Sequence, residues 1–305
     1  MALKEIAITN LYLNVSLNCN QACKRCYHHR GLSADRQMTL ETAREATRLY
    51  FATRDPQAQN PFIMLFGGEP LCNWDVVREY IPWVRSACGN EPFDLFIFTN
   101  GIDLTEERAD FFFTHGMMIV MSLNGPYEHH NRHRPMPRAQ YDHVVAMIKY
   151  IAAKDPRKVT PYLVLSREML AELPDVLRFF AGLGITQMAI SKDVGDAWGD
   201  ALKREIASAI QSVLGPAGIT FRFFPEAISN CRNCYPKSLV VYPNGDLYDL
   251  CHLCSSVLQH ASAADDAVRR VMHFGQLGQV DRLFMDVEAK RALITPRMDC
   301  MTGPA

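Results

Sequence analysis

Short apolar runs alternate along this chain with amphipathic segments of helical length. The runs Leu11–Leu17, Phe62–Phe66, Leu95–Thr99, Met118–Leu123, Tyr162–Leu165 and Met188–Ser191 predict strands, and the segments 39–54, 74–87, 104–115, 139–153, 171–183 and 200–213 predict helices. In the first helix Leu40, Ala43, Ala46 and Tyr50 recur at helical spacing behind Thr39, a residue type suited to an N-cap. Six strand–helix units in series imply an α/β fold, a parallel sheet with right-handed crossovers, either open or rolled into a partial barrel.

In such sheets ligands sit at the carboxyl ends of the strands. Those ends carry Asn18–Cys26, Gly67–Pro70, Thr99–Gly101, Asn124–Pro126 and Ser166–Arg167, so the chemically interesting groups are expected on one rim. The pattern breaks after about residue 217. A strand-like run, Thr220–Phe224, leads into CRNC, and SLVVYPNGDLYDLC then reads as a hairpin turning at Asn244–Gly245. The expected organisation is a first domain over 1–217 and a small cysteine-rich hairpin and helix domain over 218–305.

Composition changes this picture little until the cysteines are counted. Hydrophobic residues make up 48% of the 305 residues and charged residues 21%, ordinary for a soluble enzyme. A net charge of −1 gives no reason to expect nucleic acid or an anionic membrane surface as partner. No apolar run reaches the roughly 20 residues that span a bilayer, and MALKEIAITN lacks the features of a signal peptide, so the expected location is cytoplasmic. Ten cysteines are present, and they cluster: Cys19, Cys23 and Cys26 in one stretch, Cys231, Cys234, Cys251 and Cys254 in another, with Cys72, Cys88 and Cys300 apart. Clustered thiols in a reducing compartment point to metal rather than disulfides.

CNQACKRC places three thiols within eight residues of a loop that follows a strand. Three thiolates can hold three irons of a cubane and leave the fourth open to a small-molecule ligand. Zinc, with His28 or His29 as a fourth donor, fits the same spacing.

Other motifs stand behind that loop in order. Gly67-Gly68-Glu69-Pro70 follows the second strand, Thr99-Asn100-Gly101 the third, and Ser122-Leu123-Asn124-Gly125-Pro126 the fourth, with His130, Asn131 and Arg134 beyond. Together with C-x3-C-x2-C, this series resembles the radical S-adenosylmethionine superfamily, above all its sulfatase- and peptide-modifying members. The resemblance covers residues 11 to about 135 well. It implies a partial (β/α)6 barrel in which Cys19, Cys23 and Cys26 hold a catalytic 4Fe-4S cluster. It further implies that Tyr27, Gly67, Gly68, Glu69, Pro70, Thr99, Asn100, Ser122, Asn124 and Arg134 bind S-adenosyl-L-methionine, the Glu and the glycine turn receiving the amino group. The sequence departs from the pattern in places. Arg25 stands where an aromatic residue is usual, and Asn124 and Asn131 replace Asp, which keeps hydrogen-bonding capacity but removes charge.

The second cluster, C-x2-C-x16-C-x2-C, fits a zinc ribbon when read alone. Behind the first region it resembles the SPASM or twitch extension, which implies one auxiliary 4Fe-4S cluster held among Cys231, Cys234, Cys251, Cys254 and Cys300. Cys72, two residues past the glycine turn, is the one candidate hydrogen donor to a substrate radical, against a packing role. The resemblance implies reductive cleavage of S-adenosylmethionine and hydrogen abstraction from an unactivated carbon of a peptide or protein, with oxidation as the outcome. A small-molecule substrate, such as a sugar, amino acid or cofactor precursor, is the alternative. The implied partner is an electron donor such as flavodoxin or ferredoxin. About ten residues precede the first strand, too few for a leader-recognition domain, so if the enzyme uses one it is expected to be a separate leader-peptide-binding protein.

Overall fold

The computed structural model describes residues 3–24, 26, 36–89, 91–193, 196, 198–224, 238–249 and 273–289. In chain order the elements are β1 (Lys4–Glu5), β2 (Asn10–Ser16), α1 (Leu40–Thr53), β3 (Phe62–Gly67), α2 (Trp74–Ala87), β4 (Asp94–Thr99), α3 (Glu106–Thr114), β5 (Met118–Ser122), α4 (Tyr127–His133), α5 (Arg138–Lys154) and β6 (Val159–Leu165). They continue with α6 (Leu173–Ala181), β7 (Gln187–Lys192), α7 (Asp200–Leu214), β8 (Thr220–Phe224), β9 (Ser238–Val241), β10 (Asp246–Asp249), β11 (His273–Gln276) and β12 (Phe284–Met285). Short 3₁₀ turns, Pro70–Asn73 and Arg167–Glu172, precede α2 and α6. The chain divides into two compact units, Met1–Asn20 with Tyr27–Phe98 and Asn230–Pro296, and Gln21–Cys26 with Thr99–Ser229 and Arg297–Ala305.

In the first unit the strands lie in the order β11-β10-β9-β2-β3-β4. β2, β3 and β4 run parallel, as the sequence pattern predicts, and the β9–β10 hairpin joins the far edge of β2 with β9 also parallel. A separate antiparallel pair, β1 and β12, ties Lys4 to Met285. Leu11, Leu13 and Val15 of β2, Ile63 and Leu65 of β3, and Leu95 and Ile97 of β4 have at most 1% of their surface exposed. Each such Leu or Ile contributes about 1.5–3 kcal/mol of burial. This is the core under α1 and α2. Thr39 caps α1 by accepting from the Thr42 amide, as expected, and Thr47 and Tyr80 link the two helices through a 2.7 Å hydroxyl pair. The alternate positions Tyr12, Phe62, Met64, Phe96 and Phe98 are half-buried, on the face away from that core.

In the second unit β5, β6, β7 and β8 run parallel in that order. Ile119, Met121, Leu163, Leu165 and Ile190 are completely buried, with α3 packed on β5, α5 on β6 and α7 on β8. Both units are therefore of the expected α/β class. Two local differences have plain causes. α4 was not predicted, because YEHHNRH carries no apolar repeat. The predicted helix from 171 begins instead at Leu173, where Pro174 suits the first turn and the preceding residues wind as 3₁₀. Among the described residues no helix is long and apolar enough to cross a membrane.

Candidate active site

The first unit supplies the turn after β3 and the strand end it leans on. Gly67 has φ +132°, and a Cβ there would meet the Ser16 carbonyl oxygen at 2.2 Å. At Gly68 a Cβ would lie 2.7 Å from the Asn18 carbonyl oxygen and 2.9 Å from that of Leu17. Only glycine lets the turn lie this close to the end of β2. The Gly68 amide donates to the Ser16 carbonyl (2.7 Å) and the Glu69 amide to the Asn18 carbonyl (2.9 Å). Arg36 fastens the same strand end, donating to the Asn18 Oδ1 and the Leu17 carbonyl at 2.7 and 2.6 Å. Glu69 is buried, and its Oε1 accepts from the Leu71 amide, so it also caps the 3₁₀ turn. Pro70 begins that turn, with Cys72 in it half-buried and outside any disulfide. Cys19 follows the strand end, exposed and outside any disulfide.

Cys23 and Cys26 belong to the second unit, where the stretch around Cys23 meets the end of α4. The Lys24 amide donates to the His133 carbonyl (2.9 Å), and the Gln21 side chain to the Arg134 carbonyl (3.3 Å). Arg134 caps α4 and points a guanidinium nitrogen at the Cys23 sulfur, 3.8 Å away. Burial pushes the Cys23 thiol up, with Arg134 pulling it back and Cys26 adding to the rise. The same guanidinium acts on Tyr162, whose hydroxyl burial holds above its usual range against the hydrogen bond with Ser191. Tyr162 pairs in register with Ser122 at the end of β5, so sequence alternation alone could have placed it beside that candidate.

Thr99 and Asn100 turn their side chains back on the chain, accepting from the Gly101 and Ile102 amides. Asn124 Oδ1 accepts from the Val164 amide (3.3 Å), and Asn131 Oδ1 from the Met136 amide (2.9 Å). At both positions where the family pattern has Asp, the oxygen bonds a backbone amide, a job the side-chain carboxamide does without charge. His130 is completely buried, and its Nδ1 accepts from the Asn124 amide. Burial, aided by Arg134, pushes it down to about 3, so the ring stays neutral. His133 and Ser166 meet at 3.3 Å beside Glu168. Cys88 is held up at about 11, mainly by burial, which marks an inert thiol.

Among the described residues no three His, Cys, Asp or Glu side chains stand close enough to share a metal ion. The donor chemistry of the loop is nonetheless that of a cluster site: three soft thiols outside any disulfide, two of them exposed, within eight residues of sequence. Tyr27, Cys231, Cys234, Cys251, Cys254 and Cys300 lie outside the described residues.

A parallel α/β core with a cysteine loop after one strand and a glycine–glutamate turn after the next defines a cofactor-using class. A model of the radical SAM superfamily matches residues 13–180, more than half of the chain, and the chain belongs to that superfamily. Its members use a 4Fe-4S cluster and S-adenosylmethionine, which the thiol set and the rim fit. The chain is 28% identical over 136 residues to the cysteine-type anaerobic sulfatase-maturating enzyme of Clostridium novyi (strain NT). That stretch is 42% of this chain and 35% of the relative, so the match spans about a third of the relative's length. Among solved structures, native anSMEcpe with bound AdoMet aligns at TM-score 0.66 and 15% identity, covering 89% of this chain and 78% of that one. SuiB of Streptococcus suis, bound to its precursor peptide SuiA, aligns at 0.63 and 12%, covering 79% and 59%. At these identities the likeness shows the fold.

Proposed function

We propose that this chain reductively cleaves S-adenosylmethionine and uses the product to take hydrogen from an unactivated carbon of a peptide. The observation that carries the reading is the pair of backbone bonds from Gly68 and Glu69 to Ser16 and Asn18, which sets the glycine–glutamate turn against the strand that launches Cys19. When bound, the cluster and the sulfonium supply one electron and a carbon radical. Cys19, Cys23 and Cys26 hold three irons. Gly67, Gly68, Glu69 and Pro70 receive the methionine amino group, Glu69 as a buried carboxylate facing an ammonium. Thr99, Asn100, Ser122, Asn124, Arg134 and Tyr27 complete the cofactor contacts, the Arg134 guanidinium standing ready for a carboxylate. Residues 1–217 form the catalytic domain. Residues 218–305 form the auxiliary domain, with one further 4Fe-4S cluster among its five cysteines. The electron donor is a flavodoxin or ferredoxin, and the compartment is the cytoplasm.

The peptide reading draws on fold-mates, SuiB with its bound precursor peptide and a sulfatase-maturating relative. The test is direct. Protein purified without oxygen should be brown, bind about eight irons per chain as two cubanes, and release 5′-deoxyadenosine after dithionite reduction. Replacing Cys19, Cys23 and Cys26 by Ala should abolish release, and undiminished release in that variant would refute the assignment. One zinc with four irons would make the C-terminal module a zinc ribbon.

A further inference from the structure

The first unit has a second chemical feature, on β2. Asn14 is 1% exposed, and neither its Oδ1 nor its Nδ2 has a hydrogen-bond partner among the described residues. The observation does not depend on which way the amide is flipped, since both ends lack partners. A buried amide left unpaired is destabilising, and Asn is disfavoured in strand interiors in any case. Such a violation of local rules inside a well-packed sheet marks a functional position.

Register says where the amide lies. Asn14 pairs with Phe66 of β3 and is two residues from Tyr12, so all three share one face. On that face Tyr12 stands edge-on to Phe62 and Phe66, with ring centroids 5.4 and 5.9 Å apart. Phe62 meets Phe96 at 5.5 Å, and Phe66 meets Phe98 at 5.4 Å. Tyr12, Phe62, Phe96 and Phe98 remain partly exposed, opposite the helix-covered core.

A ligand that satisfies Asn14 must offer one acceptor and one donor side by side. A second amide has that geometry, and the rings beside it fit an apolar or aromatic group. We propose that this face of β2, β3 and β4 binds the substrate, Asn14 pairing with a peptide amide while the aromatic rings seat the neighbouring apolar side chain. The inference rests on the peptide reading above and narrows it to peptides presenting an apolar or aromatic residue at the reacting segment. Asn14 is a specificity residue here, with no proton or electron to move.

Equilibrium dialysis of the anaerobic holoenzyme with S-adenosylmethionine bound tests it, using hydrocinnamamide and methyl hydrocinnamate as probes. They share the ring and the carbonyl, and only the amide has N–H donors. The wild type should hold the amide about tenfold or more tighter than the ester, the worth of one paired buried group. Asn14→Leu should erase that preference while still binding the ester and unfolding no earlier than the wild type. Phe96→Ser should weaken both probes together. Equal binding of the two probes by the wild type overturns the proposal, whatever the variants do. An amide preference that survives Asn14→Leu overturns it as well. Release of 5′-deoxyadenosine is measured on the same preparation. Cleavage with equal probe binding removes this inference alone, whereas absence of cleavage removes the proposed function.

Discussion

Two buried asparagines show how differently the units are finished. Asn14 in the first and Asn124 in the second are 1% and 2% exposed. The Asn124 side chain accepts from the Val164 amide through its Oδ1, and the backbone N–H of the same residue donates to His130 Nδ1. Asn14 has no partner for its side chain among the described residues and sits in a field of aromatic edges. The same contrast extends around each residue. The second unit ties Tyr162 to Ser191, His133 to Ser166 and Arg134 to Cys23, although the Nε2 of the buried His130 has no partner among the described residues. Burial is equal, so burial does not separate a side chain already bonded within its unit from one that is not. Satisfaction does.

The largest effect is expected where the first unit is tightest. Gly67→Ala forces a side chain into φ +132° and a Cβ to 2.2 Å from the Ser16 carbonyl oxygen, a backbone atom that cannot rotate away. Strain and overpacking together should destabilise by at least about 3 kcal/mol and displace Glu69. Chemical denaturation gives the first quantity and S-adenosylmethionine binding the second. A variant within 1 kcal/mol of wild type, as an order-of-magnitude bound, would mean the turn does not hold this close approach.

The second unit should be the acid-sensitive one. His130 is held neutral down to about 3, against an ordinary value of 6.5, with burial as the main cause and Arg134 next. Between those values the unfolded chain takes a proton that the folded chain refuses. Stability is therefore intact above about pH 6.5 and falls as the pH drops, by up to about 1.4 kcal/mol per unit. The unfolding midpoint of wild type should decline from pH 7 to pH 5 more steeply than that of His130→Gln. Parallel curves would show that His130 is not the group responsible.

Much of this was legible in the sequence, and the exceptions share a cause. The short apolar runs that predict β2, β3 and β4 are the strands that pair in parallel in the first unit. The order of CNQACKRC and Gly67–Pro70 gives the family that the match over 13–180 shows. What could not be read were long-range pairings and the states of individual polar atoms. Leu11 pairs with Leu239 across more than two hundred residues of sequence, and β1 with β12 over two residues each. The close approach of Gly67 and Gly68 is to the chain's own Ser16–Asn18 backbone, a contact no local pattern announces.

The smallest effect separates the units most sharply, because only one of them should lose stability. Asn124→Leu removes the acceptor of the Val164 amide and leaves that group unpaired, which should cost about 1–3 kcal/mol. Asn14→Leu removes two unpaired polar atoms and nothing that bonds to them among the described residues, and it substitutes an apolar side chain of similar size. Relief of the unpaired amide should leave stability unchanged or raise it by about 1 kcal/mol. Leu also favours neither the strand nor its aromatic neighbours less than Asn does. A site kept for binding is expected to be suboptimal for folding in this way. On the same scale, Asn124→Leu should therefore lower the denaturation midpoint and Asn14→Leu should leave it unchanged or raise it. If Asn14→Leu destabilises as much as Asn124→Leu, then Asn14 is a structural amide after all, and the difference drawn between the two faces fails with it.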